Sequence, residues 1–185
     1  MDFRSYLKYK FLNSVFTGLS IGSVFSIYSP LQPSIFSLGG VLLAIGMLLI
    51  AKFYKKLINI RIFFLISLFV EVVMLAVITA FLIKPFTYST ALFIYSGYQI
   101  TFVFGSYLVR TETLLLRKKK LLSILDVYKQ SGYLFGLGFS FGFYEFLEYF
   151  FKITTNQMQV YYLHFVLLPT EIFIIYYLLK AFGRF

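Results

Sequence analysis

From Ile62 to Ile83 the chain carries one charged residue, Glu71, among otherwise almost wholly apolar side chains. A run of about 20 such residues, rising about 1.5 Å each, is what an α-helix needs to cross a hydrocarbon layer about 30 Å thick. Five further stretches read the same way, which predicts spans near 11–29, 34–51, 61–83, 88–109, 131–151 and 159–179. The breaks have the right chemistry. Ser29-Pro30-Leu31-Gln32-Pro33-Ser34 is a short turn with two prolines, Lys84-Pro85 closes the third span, and Thr154-Thr155-Asn156-Gln157 separates the last two. Strands of a membrane barrel are about 9–11 residues with in/out alternation, so these longer runs exclude them. The first span follows Arg4, Lys8 and Lys10, as a signal peptide would. No small-x-small cleavage site precedes Pro30 and more spans follow, so it reads as a retained helix.

Composition agrees. Hydrophobic residues are 60% and charged residues 13%, where soluble domains have about half and about a quarter. That excludes a soluble enzyme, a nucleic-acid binder and a disordered chain. With no cysteine, thiolate chemistry and Cys metal sites are excluded too. The net charge of +10 becomes informative once sorted by loop. Arg4, Lys8, Lys10, Lys52, Lys55, Lys56, Arg61, Arg110, Arg117, Lys118, Lys119, Lys120, Lys129, Lys180 and Arg184 fall on one side, and only Lys84 and Lys152 on the other. The positive-inside rule then makes both termini cytoplasmic. The expected product is an all-α integral membrane protein, one six-helix transmembrane domain over 1–185. Its long basic elbow at 110–130 would extend the fourth helix into the cytoplasm. The Arg117–Lys120 run there reads either as a topology determinant in solvent or as a contact for anionic headgroups.

Small residues let membrane helices approach closely. Ser14, Gly18, Gly22 and Ser26 recur every fourth residue in the first span, as do Gly132, Gly136 and Ser140 in the fifth. Polar groups inside the bilayer are costly and are functional candidates. Glu71, Glu145, Glu148, His164 and Glu171 qualify. Turn geometry sets Glu145 level with His164, predicting a pair; His164 and Glu171 share a helix face; and Glu71 falls level with Gln99 to Thr101. Glu71, Glu145, His164 and Glu171 are therefore candidates for a proton-coupling polar network, with buried hydrogen-bonded side chains of purely structural role as the alternative. Tyr95, Gln99, Phe102, Ser106 and Arg110 form one face, readable as a substrate path or as a helix–helix hydrogen-bonding seam. Asn13, Thr17 and Ser20 form a second polar face. No nucleophile-elbow, zincin or phosphate-loop pattern is present, so neither an enzyme nor a bound cofactor or metal is expected.

The detailed layout resembles the N-terminal half of the major facilitator superfamily. Leu12-Asn13-Ser14-Val15-Phe16-Thr17-Gly18-Leu19-Ser20 looks like that family's first helix, and Ser34-Ile35-Phe36-Ser37-Leu38-Gly39-Gly40 like the start of its second. Ala51-Lys52-Phe53-Tyr54-Lys55-Lys56 falls where the family has a basic cytoplasmic motif, here without its glycine and aspartate. Gly105-Ser106-Tyr107-Leu108-Val109-Arg110-Thr111-Glu112 and Ser131-Gly132-Tyr133-Leu134-Phe135-Gly136 resemble its fourth helix, elbow and fifth helix. The resemblance implies two inverted three-helix repeats in a half-size transporter that pairs with a second copy or a second six-helix half. It implies that helices one, two, four and five line the path. That selects Asn13, Thr17, Tyr95, Gln99, Ser106 and Glu145, and sets Glu71 and Glu171 on peripheral helices. The function expected is a proton-coupled secondary transporter of a small molecule, working by alternating access in a bacterial cytoplasmic (inner) membrane, with lipid but no nucleic acid as partner. The second expectation is a non-enzymatic accessory subunit, such as the substrate-capture component of a vitamin importer, docking a partner through Ser14–Ser26.

Overall fold

The computed structural model describes residues 1–183; Arg184, one of the basic residues counted above, lies outside them. Every regular element among the described residues is a helix. They are α1 (Phe3–Ser20), α2 (Ser23–Tyr28), α3 (Pro33–Lys52), α4 (Tyr54–Leu57), α5 (Ile60–Ile83), α6 (Tyr88–Val103), α7 (Gly105–Leu116), α8 (Lys119–Phe151) and α9 (Asn156–Phe182). Four stretches are long and apolar enough to cross a membrane: Pro33–Lys52, Ile60–Ile83, Tyr88–Leu116 and Asn156–Phe182. The other two expected spans are helical but more polar. α1 carries Arg4, Lys8 and Lys10, and α8 carries lysines at its start and Glu145 and Glu148 near its end.

Local chemistry explains the boundaries. Asp2, Asn59 and Thr87 each accept a backbone N–H of the first helical turn, capping α1, α5 and α6. Pro33 opens α3 at a position where its missing N–H costs nothing. Arg117 and Lys152 take left-handed conformations that end α7 and α8. At Lys152 the two closing bonds, Lys152 N–H to Glu148 and Ile153 N–H to Leu147, satisfy carbonyls the helix end would leave bare. Several predicted ends move. The first span begins at Phe3 rather than near 11 and breaks at Ile21–Gly22. The fourth breaks at Phe104, and the elbow is a turn at Arg117–Lys118 from which α8 starts directly. α9 runs unbroken through Pro169.

Side by side, the long helices follow the order α8, α1, α9, α5, α6, α3. The tightest seam is α1 on α8. Gly132 and Gly136 lie against the carbonyls of Phe11 and Val15, Gly18 lies against the backbone of Tyr133 and Gly136, and the Ser140 hydroxyl donates to the Leu19 carbonyl at 3.4 Å. A Cβ at any of the three glycines would run into backbone. Gly22 has nothing near it, because the break after α1 carries the small-residue ridge away from α8. α3 is the opposite case, almost wholly exposed and held mainly by α6.

The two ends of the bundle differ. At one end the Asp2 N–H donates to the Ala181 carbonyl at 2.8 Å, so the start of α1 and the end of α9 are adjacent. Tyr6, Phe63, Phe64 and Phe182 stack there, and the Tyr107 hydroxyl donates to the Leu57 carbonyl at 2.8 Å. The basic segments meet at this end. The opposite end is aromatic, with Phe81 against Phe86 and Tyr161, and Tyr28 against Phe36 and Tyr95.

Candidate functional site

Tyr6, Tyr9 and Asn13 recur at helical spacing along α1, on the side that meets α5, α7 and α9. Opposite them on α5 is Glu71, only 2% exposed. The Tyr9 hydroxyl donates to its Oε1 at 2.7 Å, and the Asn13 amide donates to both oxygens at 3.1 and 3.4 Å. Glu171 on α9, 1% exposed, lies beside Glu71, close enough for the two carboxyl groups to share a hydrogen bond once one of them is protonated. Neither oxygen of Glu171 has a donor among the described residues. One turn before Glu71, the buried Ser67 hydroxyl is unpartnered as well. The site thus joins three helices through one buried carboxyl group that has protein donors and one that has none.

Nearer the basic end is a second buried acid. Glu112 on α7 meets the Lys10 ammonium at 3.0 Å, pairs with Lys129 of α8 and accepts the Tyr6 hydroxyl. Lys10 also lies over the rings of Tyr6 and Tyr9, at 5.7 and 5.2 Å from their centroids. It therefore stands between the two clusters. Its ammonium is bound by Glu112. Among the described residues no group of three or more acidic or histidine side chains is placed to hold a metal.

The chain matches no known family model, no curated protein and no solved structure.

The other candidate residues are placed as follows. Glu145 is exposed on α8, and His164 is buried on α9, its Nδ1 at 2.7 Å from the Val160 carbonyl and its ring 4.0 Å from that of Phe81. The expected Glu145–His164 pair does not form, because the two helices turn those faces apart. Nor do Glu148 and Lys152 pair; the Lys152 ammonium lies over Tyr149. The Tyr95–Ser106 face is interrupted at Phe104. Tyr95 is buried against α3 and donates to the Phe36 carbonyl at 3.2 Å, while Ser106 is exposed. Gln99 lines a groove of about 390 Å³ between α3 and α6, with its carbonyl oxygen unpartnered. It does not reach Glu71, with which it was expected to be level; Asn13 does. Thr17 is exposed one turn beyond Asn13.

Tyr6, Tyr9, Lys10, Glu112 and Lys129 were missed as site residues. The first three lie before the expected start of the first span, and the last two were assigned to a solvent elbow. The available signal was the spacing Tyr6, Tyr9, Asn13, which continues the polar face of α1 backwards.

Proposed function

We propose that this chain is a six-span bundle of two inverted three-helix repeats with both termini cytoplasmic. It works as one half of a proton-coupled secondary transporter, alternating access to a small molecule together with a second six-helix unit. The observation that carries the reading is the order of neighbours. Let α1–α2, α3 and α5 be one set, and α6–α7, α8 and α9 the other. Exchanging the sets member for member turns α8, α1, α9, α5, α6, α3 into its own reverse. Two repeats of opposite orientation require that symmetry, and an arbitrary six-helix arrangement lacks it. The gathering of basic segments at one end supports cytoplasmic termini in a bacterial inner membrane.

The buried pair Glu71–Glu171 supports proton coupling. It lies between the central α5–α9 contact and α1, so the polar groups of α1 reach carboxyls that the resemblance alone would set aside as peripheral. The exposed face of α1 at Thr17, beside half-buried Asn13, is the candidate path. The accessory-subunit alternative is less well supported, since Ser14 and Gly18 of its docking ridge are already taken by α8.

The test is proton flux in vesicles carrying the purified chain under an imposed pH gradient. Glu71→Gln abolishes flux and Glu145→Gln leaves it unchanged; flux unaffected by both rejects the coupling. Topology is read separately. Because the chain has no native cysteine, single substitutions Gln32→Cys and Lys118→Cys label from opposite faces of the membrane.

A further inference from the structure

The two members of the carboxyl pair are unequally provided for. Glu71 receives the Tyr9 hydroxyl and the Asn13 amide, whereas Glu171 receives nothing. Around them stand Tyr9 and Lys10 from α1 and Tyr98 from α6. Farther off are Glu112 from α7, with Lys129 from α8, and His164 two turns back on α9 against Phe81. The nearest cation, Lys10, is committed to Glu112. No cation therefore stands between the two carboxyls, and two adjacent buried anions cannot both persist without one. A proton between them removes the conflict, and the hydrogen bonds decide where it sits. Charge is least costly on the carboxylate that already has donors.

We infer that Glu71 and Glu171 form a single-proton pair in which Glu171 carries the proton and donates it to Glu71, and that Asn13 is the positioning residue through which this proton communicates with the outside. Of the groups hydrogen-bonded to the pair, Tyr9 is sealed and Asn13 alone is only half-buried. It adjoins the exposed Thr17. Displacing the Asn13 amide by a ligand on that face leaves Glu71 with two donors, Tyr9 and Glu171, instead of three and changes the hold on the shared proton. This rests on the coupling site of the transport reading, but its test needs no flux.

The experiment is infrared spectroscopy of the full chain in phosphatidylcholine vesicles near neutral pH, in a Glu145→Gln/Glu148→Gln background that leaves the buried acids in view. One protonated-carboxyl band is expected. Glu171→Gln removes it and still folds, because the new amide donates to Glu71. Glu71→Gln keeps the band and shifts its frequency. A band that survives Glu171→Gln, or that vanishes when sodium replaces choline in the buffer, overturns the assignment. In deuterated water the same band exchanges on the order of tenfold more slowly in Asn13→Leu, while Asn13→Ser, which leaves room for water, restores the rate. Equal rates in all three overturn the role of Asn13. Intact band behaviour with no proton flux would reject transport and leave the pair standing; normal flux with the wrong band pattern would do the reverse.

Discussion

Glu112 and Glu71 are both almost sealed from the surroundings, at 4% and 2% exposure, and both accept a tyrosine hydroxyl from α1. Their electrostatic situations are opposite. Glu112 is matched by two ammonium groups from two other helices and closes α1, α7 and α8 together at the basic end. Glu71 has neutral donors and a second carboxyl for company. On the proton-coupling reading proposed above, the difference separates a clamp from a switch. A buried acid with its counter-ions in place resists change, because removing one member strands the others. A carboxyl pair with no counter-ion has two accessible states that differ by where, and whether, a proton is held.

The sharpest way to break this contrast is at Glu112. Glu112→Ala should cost about 3–5 kcal/mol, because Lys10 and Lys129 are left without their anion; thermal unfolding in lipid measures it. A loss below 1 kcal/mol would remove the clamp from the comparison. Next is the seam that presses α1 on α8 and so sets the height of Tyr6, Tyr9 and Asn13. Gly136→Val drives a side chain into the Val15 carbonyl, at about 1–3 kcal/mol. Gly138→Ala, with open space around it, should be neutral or slightly stabilising in the same assay. Glu71→Gln keeps the shape and an acceptor and supplies a donor to Glu171, so its cost should stay within about 1 kcal/mol although proton flux is lost. A Glu71 variant as unstable as Glu112→Ala would make both acids clamps. The smallest effect is at Asp2. Its carboxyl lies below the usual range, held first by the Ser5 hydroxyl and then by the Arg4 and Ser5 backbone groups and the Lys180 charge. Its folded-state value is depressed, so its contribution is present above the ordinary aspartate range and fades as pH falls through the folded value. Asp2→Asn should flatten that acid-side slope in a pH series of unfolding, slightly lowering the neutral-pH midpoint and leaving the acid one nearly unchanged.

How much of this was legible in the chain depends on the range of the interaction. The long apolar helices were readable because the hydropathy that makes them is local. Gly18, Gly132 and Gly136 were readable as contact residues because a ridge of small residues has a fixed helical period. Gly22 has the same period but meets nothing, since the helix break that diverts it leaves no clear mark in the sequence. Glu145 and His164 are level by counting from the turn, yet counting gives depth and not azimuth. Which way α8 is rotated depends on its contact with α1, far away in the chain. The Glu71–Glu171 meeting was unreadable for the same reason: each could be placed near mid-helix, but not assigned the other as neighbour.

The sequence by itself determined the helical class, the apolar stretches, the sorting of charge between two ends and the absence of thiol chemistry. Each is a sum over neighbouring residues and needs no knowledge of distant ones. Only the tertiary structure decided that α1 stands between α8 and α9, that Lys10 serves Glu112 rather than Glu71, and that one carboxyl of the buried pair has donors while the other has none. Those facts depend on helix rotation about an axis, which close backbone contact fixes and composition does not.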